Sequence, residues 1–213
     1  MTHWFYYFTR RVLQLIFRLG FGFEVLGREH VPRRGAFIVA SNHTSYLDPP
    51  VLGAACPRRL CFMARASLFG HPLLGAFMRG VHVLPLQRGD EGDVGAMREA
   101  VRRLRQGEVI AIFPEGGRQF SGTLGAAKRG VGLLADTARV PIIPVLVTGT
   151  FQALPPHARR LHQAKIRVAF GAAIPYTTPS IRQRSSRTDH ERLADALTQQ
   201  WHRLAEQLGA VSR

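Results

Sequence analysis

The sequence predicts an α/β fold, a single-domain αβ sandwich in which helices flank a mixed, mostly parallel sheet. Two continuous apolar runs, at residues 36–40 and 109–113, are typical of buried strands. Apolar residues also recur at helical spacing, at residues 94–104 and again at 193–208. Strands that alternate with amphipathic helices bury their apolar faces by forming layers, which gives the predicted architecture.

The individual elements follow from local patterns along the chain. The predicted strands are residues 36–40, 60–64, 109–113, 140–145 and 166–170. The predicted helices are residues 66–78 with an interruption near Pro72, 94–104 with an end near Gly107, 126–138 and 193–208. The uncharged run at residues 140–156 contains four prolines, so it is read as a buried strand and loop rather than a membrane span.

Charge is the unusual feature of the composition. The formal net charge is +15, and only Lys128 and Lys165 among the 29 basic residues are lysines. Such a surface attracts either nucleic acid or an anionic membrane. We expect no nucleic acid, because the chain lacks zinc-finger spacing and aromatic RNA-binding signatures. Cys56 and Cys61 lack metal-site partners in the sequence, so we expect buried free thiols and no metal.

The N-terminus combines aromatic, basic and apolar residues. An aromatic cluster at residues 4–8 is followed by Arg10 and Arg11, and then by apolar residues interrupted by Arg18. A transmembrane helix needs about 20 consecutive apolar residues, and these charges come too early. Two interpretations stay open: a helix lying in the membrane interface, and a helix packed on the domain.

The segment NHTSYLD, residues 42–48, follows the first predicted strand. His43 is suited to take a proton near neutral pH, and Asp48 can orient it through one ring nitrogen. Positions five apart diverge on a continuous helix, so the two side chains meet only if a turn intervenes. Thr44 and Ser45 favour such a turn. Alone, this pattern also fits a capped turn with an exposed histidine.

A second polar cluster, FPEGGR at residues 113–118, follows the strand at residues 109–113. Its glycines let backbone approach a ligand closely, and Arg118 has the planar fork that suits a phosphate. A tight turn with a surface ion pair between Glu115 and Arg118 is the simpler alternative. Two polar clusters at strand ends in one small domain favour a functional site instead.

Four segments in this order resemble the four motifs of the glycerolipid acyltransferase family, typified by 1-acylglycerol-3-phosphate acyltransferases. The first is residues 42–48 and the third is residues 113–118. The second is residues 81–88, with Arg88 at its basic position, and the fourth is the proline-containing apolar strand at residues 140–145. The resemblance covers roughly residues 25–175. The third motif departs from the family pattern, since Gly117 replaces a threonine and Gln119 a serine.

The resemblance implies direct acyl transfer without a protein-bound intermediate, metal or cofactor. His43, oriented by Asp48, would remove the proton from an acceptor hydroxyl, and acyl-CoA or acyl-ACP would be the co-substrate. Backbone N–H groups at Gly116 and Gly117, or at the helix start after His43, would stabilise the oxyanion. The implied substrate-binding residues are Asn42, Ser45, Arg88, Glu115, Gly116, Gly117, Arg118 and Lys128. Arg88 and Arg118 would hold the acceptor phosphate.

The implied setting is the cytoplasmic face of the inner membrane, with a peripheral or monotopic attachment. Partners are then a lysophospholipid, an acyl thioester and an anionic membrane surface, with acyl carrier protein as a further candidate. The predicted organisation is an amphipathic, membrane-interfacial segment at residues 1–24 and a catalytic domain at residues 25–178. Residues 179–213 would form an arginine-rich linker, at residues 179–187, and a C-terminal helix packed on the domain.

Alternatives differ in the acceptor and in the reaction. The default acceptor is 1-acyl-sn-glycerol-3-phosphate, which gives phosphatidate, whereas Gly117 and Gln119 keep another lysolipid such as lyso-ornithine open. A thioester or ester hydrolase would use the same histidine with water. Ser45 and Ser121 are disfavoured as nucleophiles because the chain has no Gly-x-Ser-x-Gly elbow. A non-catalytic protein binding anionic lipid would explain the charge but not the four ordered motifs.

Overall fold

Strands and helices alternate along most of the chain in a computed structural model, which describes residues 3–86, 90–158, 160–176 and 186–209. Within these residues the strands are β1 Glu24–Leu26, β2 Phe37–Ser41, β3 Leu60–Arg65, β4 Val83–Leu86, β5 Val109–Ile112, β6 Ile142–Thr148 and β7 Arg167–Phe170. The helices are α1 His3–Phe21, α2 Asp48–Ala55, α3 Pro72–Gly80, α4 Asp90–Arg105, α5 Gly130–Ala138, α6 Thr150–Ala153 and α7 Arg187–Gln207. Short 3-10 helices cover Arg28–His30 and Ala66–Gly70.

All seven strands form one mixed, mostly parallel sheet in the order β1-β7-β6-β2-β5-β3-β4. The five strands from β6 to β4 are parallel to one another. The reversal comes at β7, which runs antiparallel to β6 and pairs in parallel with β1. The carboxyl ends of β2 and β5 are therefore neighbours, and loops that follow these two strands meet at one edge of the sheet. The predicted fold class is confirmed.

Each face of the sheet has its own apolar core. Helices α1 and α2 cover one face, where Phe17 and Leu52 pack with Phe37 and Val39 of β2. Helices α4, α5 and α7 cover the other, where Leu104 and Trp201 pack with Ile38 and Ala40 of β2. Of the apolar stripe predicted at residues 193–208, Leu197, Trp201, Leu204 and Leu208 lie in this second core, and Leu193 is also buried. Burial of β2 on both faces explains why its sequence is continuously apolar.

The structure moves several predicted boundaries and adds elements that the sequence pattern did not suggest. The helix predicted from residue 126 begins at Gly130, because residues 124–129 form an irregular loop in which Lys128 N–H donates to the Pro114 carbonyl. Strand β1 was not predicted; with only three residues it has too little pattern to recognise. The predicted linker at residues 179–187 lies almost entirely outside the described residues.

Helix α1 has two different faces. One packs on the domain, with Tyr6 and Phe17 buried and the Tyr6 hydroxyl accepting a hydrogen bond from Leu60 N–H at 3.0 Å. The other is exposed and strongly apolar, and it consists of Trp4, Tyr7, Phe8, Val12, Leu15, Ile16 and Leu19. No helix among the described residues has the length and apolar character needed to cross a membrane. Helix α1 packs on the domain with one face and leaves its other apolar face exposed.

Candidate active site

His43 and Asp48 meet directly after the carboxyl end of β2. His43 Nδ1 lies 2.8 Å from Asp48 Oδ2, and the same oxygen accepts hydrogen bonds from the N–H groups of Thr44 at 2.7 Å and Ser45 at 2.8 Å. Asp48 is the first residue of α2 and is completely buried. The turn at Thr44 and Ser45 brings together side chains that a continuous helix would separate. The ring of His43 is thus held through Nδ1, which leaves Nε2 for a substrate.

Two neighbouring side chains fix this loop to the sheet. The Asn42 side chain bridges β2 and β6, donating to the Val147 carbonyl at 3.0 Å and accepting from Val147 N–H at 2.8 Å. Ser45 Oγ donates to the Leu154 carbonyl at 2.7 Å. Both residues are buried, and these hydrogen bonds give their polar groups partners within the protein. The side chains of Asn42 and Ser45 thus fix the loop that carries His43, and their substrate-binding roles stay predictions.

The loop after β5 lies against the histidine. The Phe113 ring stacks on the His43 ring with their centroids 4.2 Å apart, and Gln119 N–H donates to the His43 carbonyl at 2.8 Å. Glu115 in this loop is 5% exposed, and neither of its carboxylate oxygens has a hydrogen-bond partner among the described residues. Burial raises the pKa of Glu115 to about 7, partly offset by nearby polar groups. An ion pair between Glu115 and Arg118, the simpler sequence alternative, does not form.

Gly116 and Gly117 have different places in the turn. Gly116 adopts a φ of 78°, and its N–H donates to the Phe113 carbonyl at 3.1 Å. A Cβ at Gly116 would lie 2.5 Å from Lys128 Nζ, so the absence of a side chain lets the lysine reach the loop. In the described structure Gly117 N–H has no protein acceptor. Of the two glycine N–H groups predicted to form an oxyanion hole, that of Gly116 is occupied and that of Gly117 is available. In the turn after His43, the N–H groups of Thr44 and Ser45 are occupied by Asp48.

Arg118 carries its charge at the site without a carboxylate partner among the described residues. Its Cζ lies 3.6 Å from the centroid of the Tyr46 ring, and Nη1 is buried without a hydrogen-bond acceptor. The Gln119 side chain lies near Gly125, since a Cβ at Gly125 would be 2.8 Å from Gln119 Nε2. An unpaired guanidinium with a buried, unused donor is suited to an anionic ligand.

The structure thus brings nine of the ten predicted site residues to one edge of the sheet. The exception is Arg88, which lies outside the described residues. Sequence reasoning missed three aromatic residues at this edge: Tyr46, Phe113 and Phe120. Tyr46 and Phe113 fall inside the two motifs, but a single sequence contains no signal that these rings would stack on His43 and Arg118.

An apolar groove of about 370 Å³ opens beside the histidine. Tyr46 and Phe113 line its end near the site, Met63 lines it along the sheet, and Leu74 and Phe77 of α3 line its far side. Tyr6 of α1 also contributes. The groove therefore runs from the loops after β2 and β5 towards α1 and α3. The surfaces of these two helices expose Phe8, Leu73 and other large apolar side chains.

A second histidine–carboxylate pair lies at the opposite edge of the sheet. His82 Nε2 is 2.7 Å from Glu108 Oε2, directly before β4 and β5, and Cys61 lies close enough that the three could offer ligands to a metal. Arg103 donates to the other Glu108 oxygen at 3.0 Å, so both carboxylate oxygens already have partners. Burial raises the pKa of Cys61 to about 12, which disfavours the thiolate that a metal would need. We interpret this cluster as a structural ion-pair network.

A protein-family model described as Acyltransferase matches residues 22–148. The chain belongs to the acyltransferase family. The match covers more than half of the chain and includes residues 42–48 and 113–118, so the chain is an O-acyltransferase.

Known relatives agree with this assignment. The 1-acyl-sn-glycerol-3-phosphate acyltransferase of Bacillus subtilis is 28% identical over 145 residues, covering 68% of this chain and 71% of that protein. The human alpha form is 31% identical over 140 residues, covering 64% of this chain but only 49% of that protein. The crystal structure of the 1-acyl-sn-glycerophosphate (LPA) acyltransferase PlsC from Thermotoga maritima superposes with a TM-score of 0.76. The superposition covers 98% of this chain and 80% of the Thermotoga maritima chain at 23% sequence identity, which establishes a shared fold.

Proposed function

We propose that the enzyme transfers a fatty acyl group from an acyl thioester to the free hydroxyl of a lysophospholipid, with 1-acyl-sn-glycerol-3-phosphate as the principal acceptor and phosphatidate as the product. The observation that carries this proposal is the placement of the His43–Asp48 pair beside the unpaired guanidinium of Arg118. A base next to a free cation suits an acceptor that has both a hydroxyl and a phosphate. The names of the relatives give the same acceptor.

In the proposed mechanism, His43 Nε2 takes the proton of the acceptor hydroxyl as its oxygen attacks the thioester carbonyl. The negative charge moves to the carbonyl oxygen of a tetrahedral intermediate, near the free N–H of Gly117. Collapse of the intermediate breaks the carbon–sulfur bond, and the departing thiolate takes the proton from His43. A thiolate is a good leaving group, so this route needs no covalent enzyme intermediate. General base catalysis contributes about 10²–10⁴-fold to such a reaction.

The apolar groove is the proposed place of the fatty acyl chain. It begins at Phe113, which stacks on His43, so a thioester carbonyl near Nε2 would have its hydrocarbon tail directed into the groove. Arg118 and Lys128, on the loop side of the histidine, would then hold the acceptor phosphate. Arg88 stays a predicted partner in this role. Either acyl-CoA or acyl carrier protein can present the same thioester.

Lyso-ornithine lipid is a second candidate acceptor, favoured by one feature of the third motif. Gly117 places no hydroxyl beside Arg118, and the Gln119 side chain lies against the Gly125 backbone. The head-group site therefore differs from the family pattern at two positions. A zwitterionic head group with a carboxylate could use the same guanidinium.

The deciding experiment is a panel of lysolipids incubated with labelled acyl-CoA or acyl-ACP and analysed by mass spectrometry. We expect acyl transfer to 1-acyl-sn-glycerol-3-phosphate and little free fatty acid. Release of free fatty acid at an equal rate with or without a lysolipid would identify a hydrolase instead. Lipid binding without any thioester turnover would identify a non-catalytic protein.

We also propose that the exposed apolar face of α1, which carries seven large apolar side chains, rests in the interface of an anionic membrane, on the cytoplasmic side.

The test of this membrane contact is a Leu15→Ser, Leu19→Ser double variant, which removes two side chains that are 59% and 81% exposed. Because burial of a leucine contributes about 1.5–3 kcal/mol, vesicle binding should weaken about tenfold or more. Sedimentation with phosphatidylglycerol vesicles measures this. Leu161→Ser, which changes a 58% exposed leucine elsewhere, is the matched control and should bind normally. Equal binding of the double variant and the control would refute the proposal.

A further inference from the structure

Two aromatic rings enclose the guanidinium of Arg118. Its Cζ lies 3.6 Å from the centroid of the Tyr46 ring and 5.6 Å from that of the Phe120 ring. These rings are 61% and 59% exposed, so neither is held in place by a surrounding apolar core. Aromatic faces attract a cation electrostatically, and the attraction is strongest at short range. Each ring therefore has the Arg118 guanidinium as one of its contacts.

Aromatic faces fix an arginine in a way that a carboxylate cannot. A carboxylate would use the N–H donors and cancel the charge, whereas a ring contacts the flat face of the guanidinium and leaves the edge free. Arg118 matches this description, since Nη1 is buried without an acceptor and no carboxylate among the described residues pairs with it. The arrangement retains both the charge and the in-plane donors for an anion.

The rings come from the two different halves of the site. Tyr46 belongs to the loop after β2, which holds His43, and Phe120 follows the loop after β5. The Phe120 ring also stacks on the His157 ring at a centroid distance of 5.5 Å. Tyr46 also lines the apolar groove, so it stands between that groove and Arg118.

We propose that Tyr46 and Phe120 are positioning residues that hold the Arg118 guanidinium for the phosphate of the acceptor. This inference rests on the proposed function, because it assumes that Arg118 binds that phosphate. The rings strengthen acceptor binding by holding Arg118, and they take no part in the proton transfer at His43.

The test uses variants that remove the aromatic face but keep an apolar side chain. Tyr46→Leu and Phe120→Leu should each raise the KM for 1-acyl-sn-glycerol-3-phosphate about three- to tenfold, with a larger effect at Tyr46. Phe120 does not line the apolar groove, so kcat and the donor KM of Phe120→Leu should stay within about twofold. Tyr46→Phe retains the ring and should restore the KM. The matched control is Phe69→Leu, which removes a comparable ring 6.0 Å from the Cζ of Arg79, outside the site. It should leave the acceptor KM unchanged.

A double-variant cycle separates this inference from the proposed function. If the rings act through Arg118, Tyr46→Leu should have no further effect on the acceptor KM in an Arg118→Ala background. If Arg118→Ala raises the KM but Tyr46→Leu does not, the positioning role is refuted and the phosphate role survives. If Arg118→Ala leaves the KM unchanged, the phosphate role itself fails. An equal KM increase for an unphosphorylated monoacylglycerol acceptor would also refute the inference, because it would indicate general damage to the site.

Discussion

The two edges of the sheet each hold a histidine hydrogen-bonded to a carboxylate, at nearly the same distance. His43 and Asp48 are 2.8 Å apart at the carboxyl edge, and His82 and Glu108 are 2.7 Å apart at the amino edge. The pair geometry alone therefore does not distinguish a candidate active site from a structural network. The surroundings of the two pairs do.

Unused polar atoms concentrate at the carboxyl edge. Asp48 Oδ1, both carboxylate oxygens of Glu115 and Nη1 of Arg118 are buried there without partners. At the amino edge, within the described residues, no nitrogen or oxygen atom of His82, Glu108 or their neighbour Arg103 is in that state. Buried polar groups without partners destabilise a fold, and proteins retain them where a ligand will satisfy them. Among the described residues, the comparison therefore favours the carboxyl edge over the amino edge as the candidate site.

The largest expected effect separates the two histidines. His43→Ala should lower kcat by about 10²–10⁴-fold, because it removes the general base. His82→Ala should leave kcat within about twofold, since His82 lies at the other edge of the sheet. Steady-state rates with acyl-CoA and 1-acyl-sn-glycerol-3-phosphate measure both, and circular dichroism checks that each variant is folded. Full activity of His43→Ala would sink the proposed mechanism.

The next effect separates two arginines. Arg118→Ala should raise the KM for the phosphorylated acceptor about 10- to 100-fold, because a hydrogen bond to a charged group contributes about 1.5–3 kcal/mol. Arg103→Ala breaks ion pairs with Glu99 and Glu108 at the amino edge, so it should lower stability without changing that KM. A comparison of acceptor KM values for the two variants measures the difference. The comparison between the edges fails if both variants change the KM equally.

The smallest expected effect is on the free energy of unfolding, and its pH dependence has opposite signs at the two edges. Burial raises the pKa of Glu115 to about 7, so its contribution to stability is present at low pH and is lost as the pH rises through 7. Glu115→Gln should therefore stabilise the fold more at pH 8.5 than at pH 5, by up to about 3 kcal/mol at full ionisation.

Glu108 provides the matched control. Burial alone would raise the pKa of Glu108. Hydrogen bonds from His82 and Arg103 outweigh this effect, and the pKa of Glu108 is lowered. Its contribution is therefore present above its unfolded pKa and is lost as the pH falls, and Glu108→Gln should destabilise the fold at pH 7 more than at pH 4. Thermal unfolding of both variants across pH measures the two trends. Parallel trends would contradict the assigned environments.

Most of the fold was predictable because its elements have strong local patterns. Strand β2 is buried on both faces and reads as a continuous apolar run, and α7 repeats its apolar residues at helical spacing. Local pattern failed where packing decides the structure. Three-residue β1 exists through its pairing with β7, and the first turn of the predicted helix at Lys128 is replaced by a loop bonded to Pro114.

The sequence by itself determined the α/β class, the acyltransferase family and the two polar motifs, because each of these is encoded by residue types at fixed local spacing. Only the tertiary structure decided which polar atoms stay unused. Parallel pairing of β2 with β5 brings residues some 70 positions apart into contact, so that Gln119 N–H donates to the His43 carbonyl. The same pairing places Tyr46 on Arg118 and Phe113 on His43. Such contacts depend on the register of distant strands, which no local pattern records.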